Sequence, residues 1–184
     1  MTLFYIFTGI SIGILLFVIP LYMKTILLMD IGQIGLITTI YPITTVIGSL
    51  FGGALADRWG RKMVLFIFIS AGIVSYPVLI YTNTWQIFAI LYGVCGFFDG
   101  GYGAAGNALT MDVCNPKIGT TQYSIMCSIA NFGTYGTGSI SGSLIVLLGF
   151  GRMFLLSSWI CGPALLMLYF FRPKKTELQG KENG

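Results

Sequence analysis

Apolar residues fall into six long blocks, at about 3–23, 35–56, 63–81, 85–111, 121–148 and 153–171. Short polar stretches at 24–33, 57–62, 82–84, 112–120 and 149–152 separate them, and a polar stretch, 172–184, follows the last. Each block reaches the roughly 20 residues that a helix needs to cross a bilayer. The blocks are too long and too uniformly apolar for the alternating strands of about 10 residues in a membrane barrel. In hydrocarbon the backbone must satisfy its own hydrogen bonds, so the blocks are predicted to be helices. The expected fold is an all-α membrane protein: a bundle of six transmembrane helices over 1–172 and a polar tail over 173–184.

Composition agrees. Hydrophobic residues make up 55% of the 184 and charged residues 9%, against about 25% charged in a soluble domain. A soluble or disordered chain is therefore excluded. The net charge of +4 comes from dispersed residues, which predicts no nucleic-acid partner. The chain has no His, so His-ligated metals, His bases and Ser-His nucleophiles are excluded. Cys95, Cys114, Cys127 and Cys161 form no CxxC pair and read as packed thiols. No metal, cofactor or enzyme activity is expected. An intramembrane aspartyl protease needs two acids at membrane depth, and only Asp99 lies there. The first apolar block has no basic residue before it and reads as a span, not a cleaved signal.

Basic residues orient the bundle. With the N-terminus inside, Arg58, Arg61, Lys62, Lys117, Arg172, Lys174, Lys175 and Lys181 are cytoplasmic, against Lys24 and Arg152 outside. The expectation is a multi-pass protein of the plasma or inner membrane with both termini cytoplasmic. Gly48-Ser49-Leu50-Phe51-Gly52 in the second block resembles Gly138-Ser139-Ile140-Ser141-Gly142 in the fifth, and each precedes an aromatic-Gly-Arg step, Trp59-Gly60-Arg61 and Phe150-Gly151-Arg152. The two blocks run in opposite directions, which predicts two inverted three-helix repeats, a construction common in secondary transporters.

Asp99 is the one ionisable side chain deep within a block. A charge there is costly unless it faces water or a partner, and such acids are functional candidates by default. Tyr92, Cys95, Tyr102, Gly103 and Gly106 share its helical face, with Asn107 close by. Three readings stand: a proton-coupling carboxylate, a site for a cationic group, or an acid hydrogen-bonded between helices. Gly100, Gly101, Gly103 and Gly106 read as packing positions. Asn131 and Tyr135 lie four apart and share a face.

The run Gly52-Gly53-Ala54-Leu55-Ala56-Asp57-Arg58-Trp59-Gly60-Arg61-Lys62 is the most specific signal in the chain. Its small residues allow close helix approach, Gly60 permits a tight turn, and its cations can meet Asp57 or carbonyls at a helix C-terminus. The run resembles the hallmark loop of the major facilitator superfamily, Gly-x-Leu-x-Asp-Arg-x-Gly-Arg-Lys, with Gly53, Leu55, Asp57, Arg58, Gly60, Arg61 and Lys62 all matching. Pro20 near the end of the first block and Ile31 to Leu36 at the opening of the second are similar to the family as well.

The resemblance implies a secondary transporter of twelve helices in two halves, working by alternating access on a small solute. With six helices the chain corresponds to one half, and its partners are then the bilayer, the solute and a second half. That half is a separate chain, a homodimer mate or a missing N-terminal segment. The basic tail favours the C-terminal half. So does Gly119 to Ser128, which resembles the eleventh helix of the muropeptide permease and acetyl-CoA transporter group. By the same resemblance Asp57 with its neighbours forms a conformational latch, and the first and fourth helices line the cavity, which brings Tyr5 and Thr8 toward Asp99 and Tyr102. The alternative is a truncated or orphan half with a structural or regulatory role and no transport of its own.

Overall fold

The computed structural model describes residues 2–82, 84–115 and 118–170. Among the described residues six helices run up and down: α1 Thr2–Thr25, α2 Ile31–Trp59, α3 Arg61–Val78, α4 Trp85–Val113, α5 Gly119–Leu148 and α6 Phe150–Phe170, with a 3₁₀ turn at Leu79–Tyr81 after α3. The expected tail and Lys117 lie outside the described residues. Five helices are long and apolar enough to cross a membrane. The other, α5, has 30 residues, about 45 Å at 1.5 Å per residue. Its Gly, Ser and Thr content leaves it less apolar than the rest.

Several polar connectors turn out to be helix. The Asp30 carboxylate accepts from the Gly32 amide at 3.3 Å, and the Asp30 amide donates to Gln33 Oε1 at 3.2 Å. This capping box starts α2 at Ile31, four residues before the expected point. Asp57 and Arg58 belong to the last turn of α2, and Arg61 and Lys62 to the first turn of α3. Gly60 alone makes the corner, at φ +91°, a conformation that side chains disfavour. The corresponding corner between α5 and α6 is Gly149, at φ +76°. Gly151 lies inside α6, so the matched aromatic-Gly-Arg steps are not equivalent in space. The two ends of the bundle are called here the Gly60 end and the Gly149 end.

The helices pair as an inverted repeat requires. α2 packs on α4 as α5 packs on α1, α3 packs on α4 as α6 packs on α1, and α3 and α6 pack on each other. Gly48 lies against Phe97 and Gly138 against Phe17; Gly93 lies against Thr44 and Gly13 against Thr134. A shift of 80 residues therefore carries Gly13 and Phe17 of α1 onto Gly93 and Phe97 of α4. A shift of 90 carries Thr44 and Gly48 of α2 onto Thr134 and Gly138 of α5. The glycine match extends to Gly52, which abuts Gly101, but not to Gly142, which has nothing within 4 Å of its missing Cβ.

The flanking helices α2 and α5 each bury one stripe. On α2 it is Gly48, Gly52 and Ala56, with Ile37 further up; on α5 it is Gly133, Thr137, Ser141 and Ile145. Four-residue spacing of small side chains lets backbones meet. The other faces carry exposed Ile43, Val46, Leu50, Phe132, Val146 and Leu147. Inside, one apolar cluster around Val18, Tyr22, Phe88 and Phe154 fills the Gly149 end, and another around Phe4, Leu65, Phe68 and Leu168 fills the Gly60 end. A polar layer lies between them.

Candidate functional site

Asp99 sits in that layer, midway along α4. α4 reaches α2 closely because it presents glycine there. A Cβ on Gly96 would stand 2.8 Å from the Tyr41 carbonyl oxygen, and one on Gly100 2.8 Å from the Ser49 nitrogen. This approach brings the Tyr41 hydroxyl to Asp99 Oδ2, to which it donates at 2.5 Å. The Tyr76 hydroxyl of α3 donates to Asp99 Oδ1. Gly72, one turn before Tyr76, leaves room for the Tyr76 ring to lie back along α3, 3.8 Å from the position of its missing Cβ. The Tyr41 ring stacks on Tyr92 with centroids 4.8 Å apart, and Tyr92 stacks on Phe88.

Both carboxylate oxygens thus accept a charge-assisted hydrogen bond from a phenol. Among the described residues no Lys or Arg approaches them, and the ion pair the bundle holds is elsewhere, at Arg61 and Asp112. Two small cavities meet at Asp99. One, about 20 Å³, is bounded by Thr8, Ser11, Gly72, Tyr76, Tyr102 and Cys161, and has room for a single water-sized molecule. The other, about 30 Å³, is bounded by Ile12, Leu16, Tyr41, Tyr92 and Cys95. α1 and α4 stand apart as backbones here, so the crevice lies between side chains.

The expected site residues divide. Thr8 and Tyr102 line the crevice with Asp99, although the Thr8 hydroxyl bonds back to the Phe4 carbonyl at 3.0 Å. Tyr5 points elsewhere: its hydroxyl pairs with Thr110 Oγ1 and donates to the Gly106 carbonyl at 3.3 Å, which ties α1 to α4 nearer the Gly60 end. Asn107, Asn131 and Tyr135 are exposed on the bundle's surface, because the face of α5 buried against α1 is that of Gly133 and Thr137. Spacing along the chain singles out neither Tyr41 nor Tyr76. The repeated Tyr-Pro step, Tyr41-Pro42 and Tyr76-Pro77, was the available signal.

At the Gly60 end, Arg61 Nη1 pairs with Asp112 and donates to the Ala108 carbonyl at 2.9 Å. A cation at the start of α3 opposes that helix's dipole, but at the end of α4 it meets the favourable pole. Lys62 donates to the Tyr169 carbonyl of α6 at 3.1 Å. One loop therefore bridges the ends of α3, α4 and α6. Asp57 is exposed and takes no part in this bridge: of the two partners open to the cations, the carbonyls near the ends of α4 and α6 are met, and Asp112 stands in place of Asp57. Gly53 has nothing within 4 Å of a missing Cβ and Arg58 is exposed.

Six up-and-down helices in two inverted triplets, with apolar flanking faces and a carboxylate at mid-depth, define a polytopic membrane protein of the transporter type. The chain belongs to the Major Facilitator Superfamily, whose family model matches residues 1–184. It is similar to the anhydromuropeptide permease of Escherichia coli K12, 26% identical over 78% of this chain and 30% of that protein. It is similar to the 4-hydroxybenzoate transporter PcaK of Acinetobacter baylyi, 32% identical over 79% of this chain and 32% of the relative. Multidrug resistance protein MdtG of Citrobacter koseri is 29% identical over 95% of this chain and 44% of the relative. The chain spans about a third of the length of the first two of these relatives.

Proposed function

We propose that the chain acts as one six-helix half, residues 1–172, of a twelve-helix secondary transporter that moves a small solute by alternating access. Asp99 is the group that takes up a proton or a cationic part of the solute. The observation that carries this reading is a mid-membrane carboxylate held by two phenols, with no cation beside it among the described residues. An acid at that depth with no fixed countercharge beside it suits a group that loads and unloads.

The exposed faces of α2 and α5, with Asn107, Asn131 and Tyr135, suit contact with the second half and the cavity between the two. Asp57, left out of the Arg61 bridge, suits the positive N-terminal end of a helix in that second half, and so completes a latch with Gly53, Arg58, Gly60, Arg61 and Lys62. Both termini and residues 173–184 lie in the cytoplasm of a plasma or inner membrane. The relatives' names cover a muropeptide, an aromatic acid and drugs, so they favour no one solute, and the resemblance of 119–128 favours the C-terminal half.

The test is mass determination of the purified chain, alone and with the gene products that co-purify, followed by uptake in vesicles with wild type and Asp99→Asn. A dimer or a complex with a second six-helix chain, showing uptake that Asp99→Asn abolishes, supports the reading. A monomer that moves none of a broad solute panel refutes transport by this chain alone and leaves the orphan half as its description. Uptake unchanged in Asp99→Asn refutes the role of the carboxylate.

A further inference from the structure

The two tyrosines that hold Asp99 share a position: each immediately precedes a proline inside its helix, Pro42 in α2 and Pro77 in α3. A proline has no N–H, so the carbonyl four residues earlier loses its helical partner. In α3 that carbonyl is Ile73, and the Ser158 hydroxyl of α6 donates to it at 3.1 Å. A neighbouring side chain thus satisfies the break and pins α3 to α6 just before it. After Pro77 the chain tightens into the 3₁₀ turn at Leu79–Tyr81. In α2 the segment past Pro42 is clamped to α4 through Gly48, Gly52, Gly96 and Gly100. The segment before it, 31–40, is mostly exposed, with Ile37 its one buried residue. On α2, then, the part toward the Gly60 end is the one anchored by packing; on α3 both parts are packed, since Leu79 and Thr82 beyond Pro77 are buried. On both helices the part toward the Gly149 end begins at a tyrosine tied to Asp99.

We propose that Tyr41 and Tyr76 are positioning residues through which Asp99 steadies two proline hinges, so that neutralising the carboxylate weakens the ties at the Gly149 ends of α2 and α3 together. The chemistry is one of donor count. A carboxylate accepts from both phenols. A neutral carboxyl has one hydroxyl to donate and one carbonyl to accept, so it still accepts from one phenol but must donate to the other, which turns its own proton to a different acceptor. The remaining bonds also lose their charge assistance, which roughly halves their strength. The other titratable groups facing the crevice are Tyr92, Cys95 and Tyr102 of α4 and Cys161 of α6. Among the described residues none of them is a cation that could replace the lost tie. The inference rests on Asp99 being the loaded group, but its test requires no transport.

Hydrogen exchange read by mass spectrometry on the full chain in lipid nanodiscs, at one pH, provides that test. Asp99→Asn is expected to speed exchange in 31–41 and 76–82 by about tenfold, the factor that a hydrogen bond to a charged acceptor is worth, while 43–59 and 61–75 keep wild-type rates. Tyr41→Phe speeds only the first segment and Tyr76→Phe only the second. Adding Pro42→Ala to Asp99→Asn restores slow exchange in 31–41, because the backbone bond to Thr38 re-forms. Each tyrosine variant removes one hydroxyl and keeps its ring, so the result stands even where Asp99→Asn folds poorly. Failed uptake with these patterns present overturns the transport reading alone. Exchange unchanged in Asp99→Asn and in both tyrosine variants, or raised equally on both sides of the prolines, overturns the hinges.

Discussion

Replacing Gly100 with Ala tests whether α2 and α4 meet backbone to backbone beside Asp99. A Cβ at Gly100 would stand 2.8 Å from both the Ser49 nitrogen and the Thr45 carbonyl carbon, and nearer still to the Thr45 oxygen. All three are backbone atoms, so no rotamer relieves the clash. Ordinary contact begins at 3.4 Å, so clearing the two atoms at 2.8 Å takes 0.6 Å and clearing the Thr45 oxygen takes more, along a seam that also includes Gly48, Gly52 and Gly96. Overpacking of this kind costs about 1–3 kcal/mol, and the rigid obstacle puts Gly100→Ala near 3. Better helix propensity of Ala returns up to about 1 kcal/mol. The net loss is about 2 kcal/mol, a fall of roughly 4–8 °C in Tm for a chain of this length. Gly103→Ala, on the same helix with nothing within 4 Å, is the control, and its Tm is unchanged or higher. Buried Cys95 and Cys161 supply the assay, since a thiol-reactive fluorogenic dye reports their exposure on heating. If Gly100→Ala unfolds at the wild-type temperature, the seam is not as described. If Gly103→Ala falls as far, the loss comes from removing glycine flexibility and not from packing.

The Ser11 and Ser157 hydroxyls bond to each other at 2.9 Å and to each other's carbonyls at 2.9 and 3.0 Å. A double-mutant cycle with Ser11→Ala and Ser157→Ala is expected to show a coupling of about 0.6 kcal/mol, the size typical between membrane helices; zero coupling removes this tie between α1 and α6. Arg61 and Asp112 are 36% and 49% exposed, so Asp112→Asn lowers stability by less than about 1 kcal/mol. If the loop is a latch, it nonetheless changes uptake, and a large loss of Tm with uptake intact reverses that assignment. Native maleimide labelling modifies Cys114 and Cys127, which are partly exposed, and spares Cys95 and Cys161 until the chain unfolds; early loss of all four thiols contradicts the packing around Asp99.

The six helices were legible because the apolar runs are as long as a bilayer is thick. Their junctions were not. The run Asp57 to Lys62 reads as a loop by charge, yet five of its six residues are helical, since one glycine at φ +91° turns the chain in a single step. Asp99 was legible as an isolated acid in an apolar block. Its partners were not, because pairing across helices depends on how each helix is rotated, and sequence spacing reports rotation only within one helix. The spacing did place Asn131 and Tyr135 on a common face of α5, but it left open whether that face looks inward. Glycine density in α4 was read uniformly as packing, whereas Gly100 and Gly101 are jammed against neighbours and Gly103 is open.

The repeat sharpens what is particular about the site. The shift of 80 that superposes α1 on α4 carries Ile19 to Asp99, and the shift of 90 that superposes α2 on α5 carries Tyr41 to Asn131. The scaffold is therefore duplicated at the contacts of Gly13 and Gly93 and of Gly48 and Gly138, while the carboxylate and its phenol from the flanking helix occur in one copy. Ile19 is buried in the apolar cluster at the Gly149 end, and Asn131 is exposed. Inverted repeats of this kind are how many transporter folds are built. The charge is present in only one triplet, so the two are chemically unequal: one holds a carboxylate between two phenols, and the other has buried Ile19 at the matching position. A neutral apolar side chain at 99 would remove that difference and leave the two triplets nearly alike at this depth.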